Sequence, residues 1–169
     1  MARALLLVAL VLVVAAPASA GVDRGTILPG KGLTTVKLGT RTDEARKALG
    51  KPTGVVGRVW NWDGRQVRVT VRFDTSGYAD RVQVQTLTTG VTGVCTTSTI
   101  CLGAPGGVQK LKALHGAKLK PTKTLGGPAW LLLGKGVLGQ PVYTAFAGFP
   151  GTTRIISVAV GYCYGTTLC

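Results

Sequence analysis

Acidic residues are scarce in this chain of 169 residues. It carries six carboxylates (Asp23, Asp43, Glu44, Asp63, Asp74 and Asp80) against 20 Lys plus Arg, and none follows Asp80. A single histidine, His115, completes the short inventory of proton-transfer groups. The second half therefore holds no carboxylate for acid–base work. There is no Gly-x-Ser-x-Gly elbow and no His-Glu-x-x-His, and Gly134-Lys135 lacks the upstream glycine of a phosphate loop. These absences exclude the common hydrolase and nucleotide-binding classes and point to a protein that is not an enzyme and has no cofactor. Past residue 22 no apolar run is long enough to span a bilayer. Apolar residues still make up 46% of the chain, enough to build a core, so disorder is not expected.

What is present starts with an address. Met1-Ala2-Arg3 is basic, Ala4 to Ala16 is unbroken apolar sequence, and Pro17 then Ala18-Ser19-Ala20 form a signal-peptidase motif. Residues 1–20 read as a signal peptide cut after Ala20, leaving residues 21–169 exported with a formal charge of +13, one below the full chain's +14 because Arg3 leaves. No cysteine stands at the cut to carry a lipid. In an oxidising compartment Cys95, Cys101, Cys163 and Cys169 read as two disulfides rather than a zinc site. Five residues separate the members of each local pair, too many for usual ligand spacing, and no partner histidine is at hand. Three pairings are open; the Thr- and Gly-rich loops favour Cys95–Cys101 and Cys163–Cys169.

Thr42 to Leu49 reads as a helix, with Thr40 or Thr42 at its cap, Asp43 and Glu44 at the positive end of its dipole, and Gly50 and Pro52 as stops. Arg58 to Trp62, the turn pair Asp63-Gly64, and Arg65 to Phe73 read as a hairpin in which Trp62 faces Arg65. Trp60 and Trp62 then share the core face of Val67, with Trp62 the more exposed. A third strand, Arg81 to Thr86, completes a meander. The pattern recurs: Leu102-Gly103 echoes Leu38-Gly39, Lys112-Ala113-Leu114 echoes Lys47-Ala48-Leu49, and Trp130, Phe146 and Arg154-Ile155 echo Trp60, Phe73 and Arg81-Val82. Pro105 fits the first turn of the second helix, and His115 its C-terminal end, where a cation suits the dipole. The expectation is an α+β fold: two tandem helix–β-meander (αβββ) repeats, residues 21–90 and 91–169, forming one antiparallel sheet with helices packed on one face.

If helices cover one face, the other carries Arg68, Thr70 and Arg72 from one strand and Arg81, Gln83 and Gln85 from the next. These six are the candidate binding residues. Lys110, Lys112, Lys118, Lys120, Lys123, Lys135 and Arg154 add positive charge that nothing acidic balances, and Lys118-Leu119-Lys120-Pro121 reads as a flexible contact. The lysine distribution does not suit base reading, so a specific nucleic-acid partner is not expected.

Leu38-Gly39-Thr40-Arg41-Thr42, Leu49-Gly50-Lys51-Pro52, Trp60-Asn61-Trp62, Val69-Thr70-Val71-Arg72-Phe73 and Gly77 through Val82 resemble the SmpA/OmlA-like repeat. That repeat occurs in small outer-membrane assembly lipoproteins and, in tandem, in secreted β-lactamase inhibitor proteins. The resemblance spans residues 32–86 and, more loosely, 98–162. It implies the tandem fold and a binding style, with inhibition as one form of it. The cysteines here all lie in the second half instead of one pair per repeat, and no enzyme-contacting loop of the inhibitors is matched, so no contact residue carries over. The expected function is a secreted, monomeric, non-enzymatic protein that docks an extracellular protein through the exposed sheet face. The alternative is a basic cell-envelope protein held on anionic polymers.

Overall fold

Val67, Val69, Val71 and Phe73 are buried while Arg68, Thr70 and Arg72 between them are half-buried, so period-two alternation sets the central strand and its core face. The computed structural model describes residues 22–124, 127–136 and 139–164. The expected signal peptide 1–20 and the expected Cys163–Cys169 pair, through Cys169, lie outside the described residues.

The elements in chain order are β1 (Gly25–Leu28), β2 (Gly32–Leu33), α1 (Thr42–Leu49), β3 (Gly54–Val56), β4 (Val59–Asp63), β5 (Val67–Phe73), β6 (Ala79–Thr86), β7 (Val94–Thr96), α2 (Gly107–His115), a 3-10 turn (Gly116–Lys118), β8 (Leu119–Thr124), β9 (Gly127–Lys135), β10 (Pro141–Gly148) and β11 (Ile155–Tyr162). Two four-stranded meanders meet along β6 and β11 in one eight-stranded antiparallel sheet, ordered β3-β4-β5-β6-β11-β10-β9-β8. A three-stranded sheet, β2-β1-β7, pairs β1 with β7 in parallel.

The α+β expectation of two αβββ repeats with helices covering the sheet is corrected: the chain is mostly β. An eight-residue helix such as α1 is only about 12 Å long, whereas eight strands extend about 34 Å across. Of their side chains, α1 buries only Ala45 and Leu49, and α2 only Leu111 besides Gly107. The inner face is instead closed largely by the small sheet and its loops, through Val22, Ile27, Leu33, Val36, Val94, Ile100 and Leu102. Four strands of the large sheet, not three, follow each helix. The added ones are the two edges: β3 is a bare Gly-Val-Val, and β8 contains the Lys120-Pro121 segment read as flexible. Proline suits an edge, where no ladder hydrogen bond is lost.

Two rows of side chains run across the core face. Trp60, Val71, Val82, Val160, Thr144, Leu132 and Leu119 form one; Trp62, Val69, Val84, Val158, Phe146 and Trp130 form the other. Buried Thr144 accepts a hydrogen bond from Gly30 N at 2.8 Å, tying the β1–β2 turn to β10. The second helix begins at Gly107, so Pro105 precedes it. The first helix has Arg41 at its N-cap, whose amide donates to Glu44 Oε2 at 3.1 Å.

The β4–β5 hairpin corrects the expected register. Trp62 pairs with Val69, not Arg65, and Asp63 with Arg68. Asp23 supplies the reason: Oδ2 accepts from Arg65 N at 2.7 Å, and Oδ1 from Gln66 N at 2.8 Å and Val67 N at 3.2 Å. A distant carboxylate thus holds open a loop that a two-residue Asp-Gly turn would have closed. The four-residue slip is even, so each side chain keeps its face.

Cys95 and Cys101 are disulfide-bonded. Closing a loop of this size contributes about 2 kcal/mol on the chain-entropy view. Replacing both cysteines by serine is expected to lower the urea midpoint by that equivalent without changing the slope.

Candidate functional site

All six candidate residues project from the face opposite the core, and they meet in direct cross-strand pairs: Arg68 with Gln85, Thr70 with Gln83, Arg72 with Arg81. Arg68 and Arg72 do not stand as free charges. Arg68 pairs with Asp63 through Nε–Oδ1 at 2.5 Å and Nη2–Oδ2 at 3.0 Å. Its hydrogen bond holds the Asp63 carboxyl below the usual range. Arg72 Nε donates to Asp80 Oδ1 at 2.7 Å, which keeps the guanidinium charged against partial desolvation. Thr70 donates to Asn61 Oδ1 at 2.7 Å. Arg81 Nη2 donates to Gln83 Oε1, and Gln83 Nε2 to Ser157 Oγ, both at 3.2 Å.

Asp80 reaches this face through a β-bulge. The register passes from Arg72–Arg81 to Phe73–Ala79, leaving Asp80 as the extra residue. Strict alternation would send it toward the core with Val82. The bulge instead sets its carboxylate against Arg72, with the Tyr164 hydroxyl at 3.5 Å from Oδ2. Burial, then the nearby Asp80 charge, pushes the Tyr164 phenol up.

The other carboxylates also serve the fold. Asp74 caps its turn by accepting from Ser76 N and Tyr78 N; Asp43 lies 3.5 Å from Arg41; Asp23 and Glu44 cap backbone as described. Trp62 is buried and donates Nε1–H to the Gly50 carbonyl at 2.9 Å, so the expected order of tryptophan exposure is reversed. Trp60 packs edge-on against Phe73, with ring centroids 5.2 Å apart. Neither forms a stacking platform on the open face. His115 ends α2 with its ring centroid 6.5 Å from that of Phe146.

The chain matches no protein-family model and is similar to no curated protein or solved structure.

Sequence reasoning missed the other half of the open face. The row through Arg72 and Arg81 continues to Gly161, Tyr143 and Leu133; the row through Thr70 and Gln83 continues to Ala159, Ala145 and Leu131. Gly161 is bare because the Tyr143 ring lies over it, where an added Cβ would come within 2.7 Å of the phenol oxygen. In β10, Val142, Thr144 and Phe146 are buried and Tyr143, Ala145 and Ala147 alternate with them, a pattern that the mixed polarity of Thr144 and Ala145 hides in the sequence. At one end Gln85 borders a cleft of about 500 Å³ lined also by Leu87, Phe149, Arg154 and Ile156. On the face itself, Val59, Thr70, Arg72, Arg81 and Gln83 line a depression of about 210 Å³. Among the described residues, no cluster of His, Cys, Asp and Glu suits a metal ion, and no helix is long and apolar enough to cross a membrane.

Proposed function

We propose that this chain is a secreted, non-enzymatic binding protein that docks an extracellular protein on the open face of the eight-stranded sheet. The observation that carries the reading is the composition of that face. An arginine-bearing, internally hydrogen-bonded half adjoins a half of tyrosine, leucine and small apolar residues. Protein interfaces are enriched in Tyr and Arg at their centres and depleted of lysine. Arginines already held by Asp63 and Asp80 lose little side-chain freedom on docking. A sheet about 34 Å across with strands about 23 Å long offers on the order of 800 Å², one partner's share of a standard interface.

A second reading has its own observation. Lys110, Lys112, Lys118 and Lys120 are exposed along α2, the following turn and β8, in a half without carboxylates. They favour retention on anionic envelope polymer.

Salt and one substitution separate the two. The full chain, immobilised and exposed to culture fluid, is washed at about 0.15 M and 1 M salt, where the Debye length falls from about 8 to 3 Å. Docking predicts one protein retained through the second wash, with capture falling about tenfold or more for Ala145→Arg and unchanged for Lys112→Glu. Retention by Ala145→Arg equal to wild type contradicts the face assignment. Anionic material released by 1 M salt, with no retained protein, supports the polymer.

A further inference from the structure

We infer that the depression lined by Val59, Thr70, Arg72, Arg81 and Gln83 is a carboxylate-binding subsite, filled by an Asp or Glu side chain of the docked protein. The inference rests on the protein-docking reading above. Arg72 and Arg81 sit directly opposite one another on β5 and β6, an arrangement in which like charges repel. One carboxylate, Asp80, serves the pair, and it is bonded to Arg72. Among the described residues, no carboxylate pairs with Arg81.

The hydrogen-bond inventory agrees. A guanidinium has five N–H donors and no acceptor. Within the fold Arg81 places Nη2 on Gln83 Oε1; among the described residues its solvent-shielded Nε has no partner, and its Nη1 donors are left for a ligand. Ser157 holds the Gln83 amide from its other end, so Gln83 Oε1 stays turned toward Arg81. What is missing is an acceptor with a negative charge. A carboxylate offers two acceptor oxygens that match the fork of an arginine. Among the described residues no side-chain carboxylate is to spare, since Asp23, Glu44 and Asp74 hold backbone amides and Asp43, Asp63 and Asp80 stand against other arginines. A space of about 210 Å³ holds one side chain and falls below the size of typical small-molecule pockets. Val59 forms an apolar wall for the methylenes of such a side chain, and the surrounding face covers the rest of a protein partner.

The test follows the Arg81 Nε–Hε resonance of the full chain by NMR. The probes are N-acetylglutamate N-methylamide, its glutamine counterpart and sodium phosphate at matched ionic strength. The expected result is a saturable shift with the glutamate compound at least ten times that with the glutamine compound. Arg81→Gln removes the response of the depression while Arg68 Nε–Hε and the backbone amide spectrum stay in place. If that variant fails to fold, the glutamate–glutamine comparison on the native chain decides alone. No shift, an equal shift with the glutamine compound, or tighter binding of phosphate overturns the assignment. A silent Arg81 while Ala145→Arg still abolishes partner capture removes the subsite and leaves the docking face; loss of both results removes the docking reading itself.

Discussion

Trp62→Ala is expected to lower the unfolding free energy by about 3–5 kcal/mol, the range for deleting a large buried aromatic. The ring is 1% exposed, lies 6.0 Å from Trp60 between centroids, and stands beside Val69 on the core face. Its Nε1–H also serves the carbonyl of Gly50, just past α1, where helix ends leave acceptors without intrahelical donors. Truncation opens a cavity and strips that acceptor of its partner. Trp62→Phe separates the contributions: most of the packing returns and the hydrogen bond does not, so a loss of about 1–2.5 kcal/mol is expected. Urea unfolding followed by far-ultraviolet circular dichroism measures both. A loss below 1 kcal/mol for Trp62→Ala would show that Trp62 does not anchor this corner.

Asp23→Ala is expected to cost about 2–3 kcal/mol, or roughly 5–10 °C in thermal midpoint, because one charged acceptor serves three backbone amides of the β4–β5 loop. Partial burial works to raise the Asp23 pKa, but the amides of Gln66, Arg65 and Val67, with the Arg65 charge, outweigh it and hold the carboxyl below its ordinary 3.8. The sign follows. A carboxyl depressed in the folded state stabilises the fold above pH 3.8, and that stabilisation disappears as pH falls through the lower folded value. The gap between wild type and Asp23→Ala is therefore constant from about pH 5 to neutrality and closes in strong acid. Asp63, held low by Arg68, adds to the acid sensitivity of both proteins and leaves their difference unchanged. Denaturant titrations across that range test it; a gap that widens in acid contradicts the role given to Asp23.

These two residues also show where sequence reading stops. The alternation of Val67, Val69, Val71 and Phe73 is local, and it identifies both the strand and its core face. The Thr42–Leu49 boundaries are likewise visible in nearby acids and stops, and α1 occupies those residues. The hairpin register depends on Asp23, some forty residues upstream of the loop it holds. The small sheet depends on pairing Gly25 with Val94, and its two-residue β2 is too short to show a period. Without that sheet the inner face lacks its cover, and helices are the natural but mistaken substitute. The candidate face was legible in the same measure. Its six polar residues alternate visibly, whereas Asp80 is aimed by a bulge that alternation cannot foresee. Tyr143, Ala145 and Leu131 join the open face because the pairing of β6 with β11 extends the polar rows into them.

The identity of the docking face is open to direct test. A benzophenone amino acid placed at Gln85, exposed on that face, is compared with one at Leu114, exposed on α2. Irradiation in culture fluid is expected to join a single protein to the chain from position 85, with no product from position 114, and 1 M salt should not abolish it. Cross-linking from Leu114 alone, or the same products from both positions, would contradict docking through the open face of the sheet.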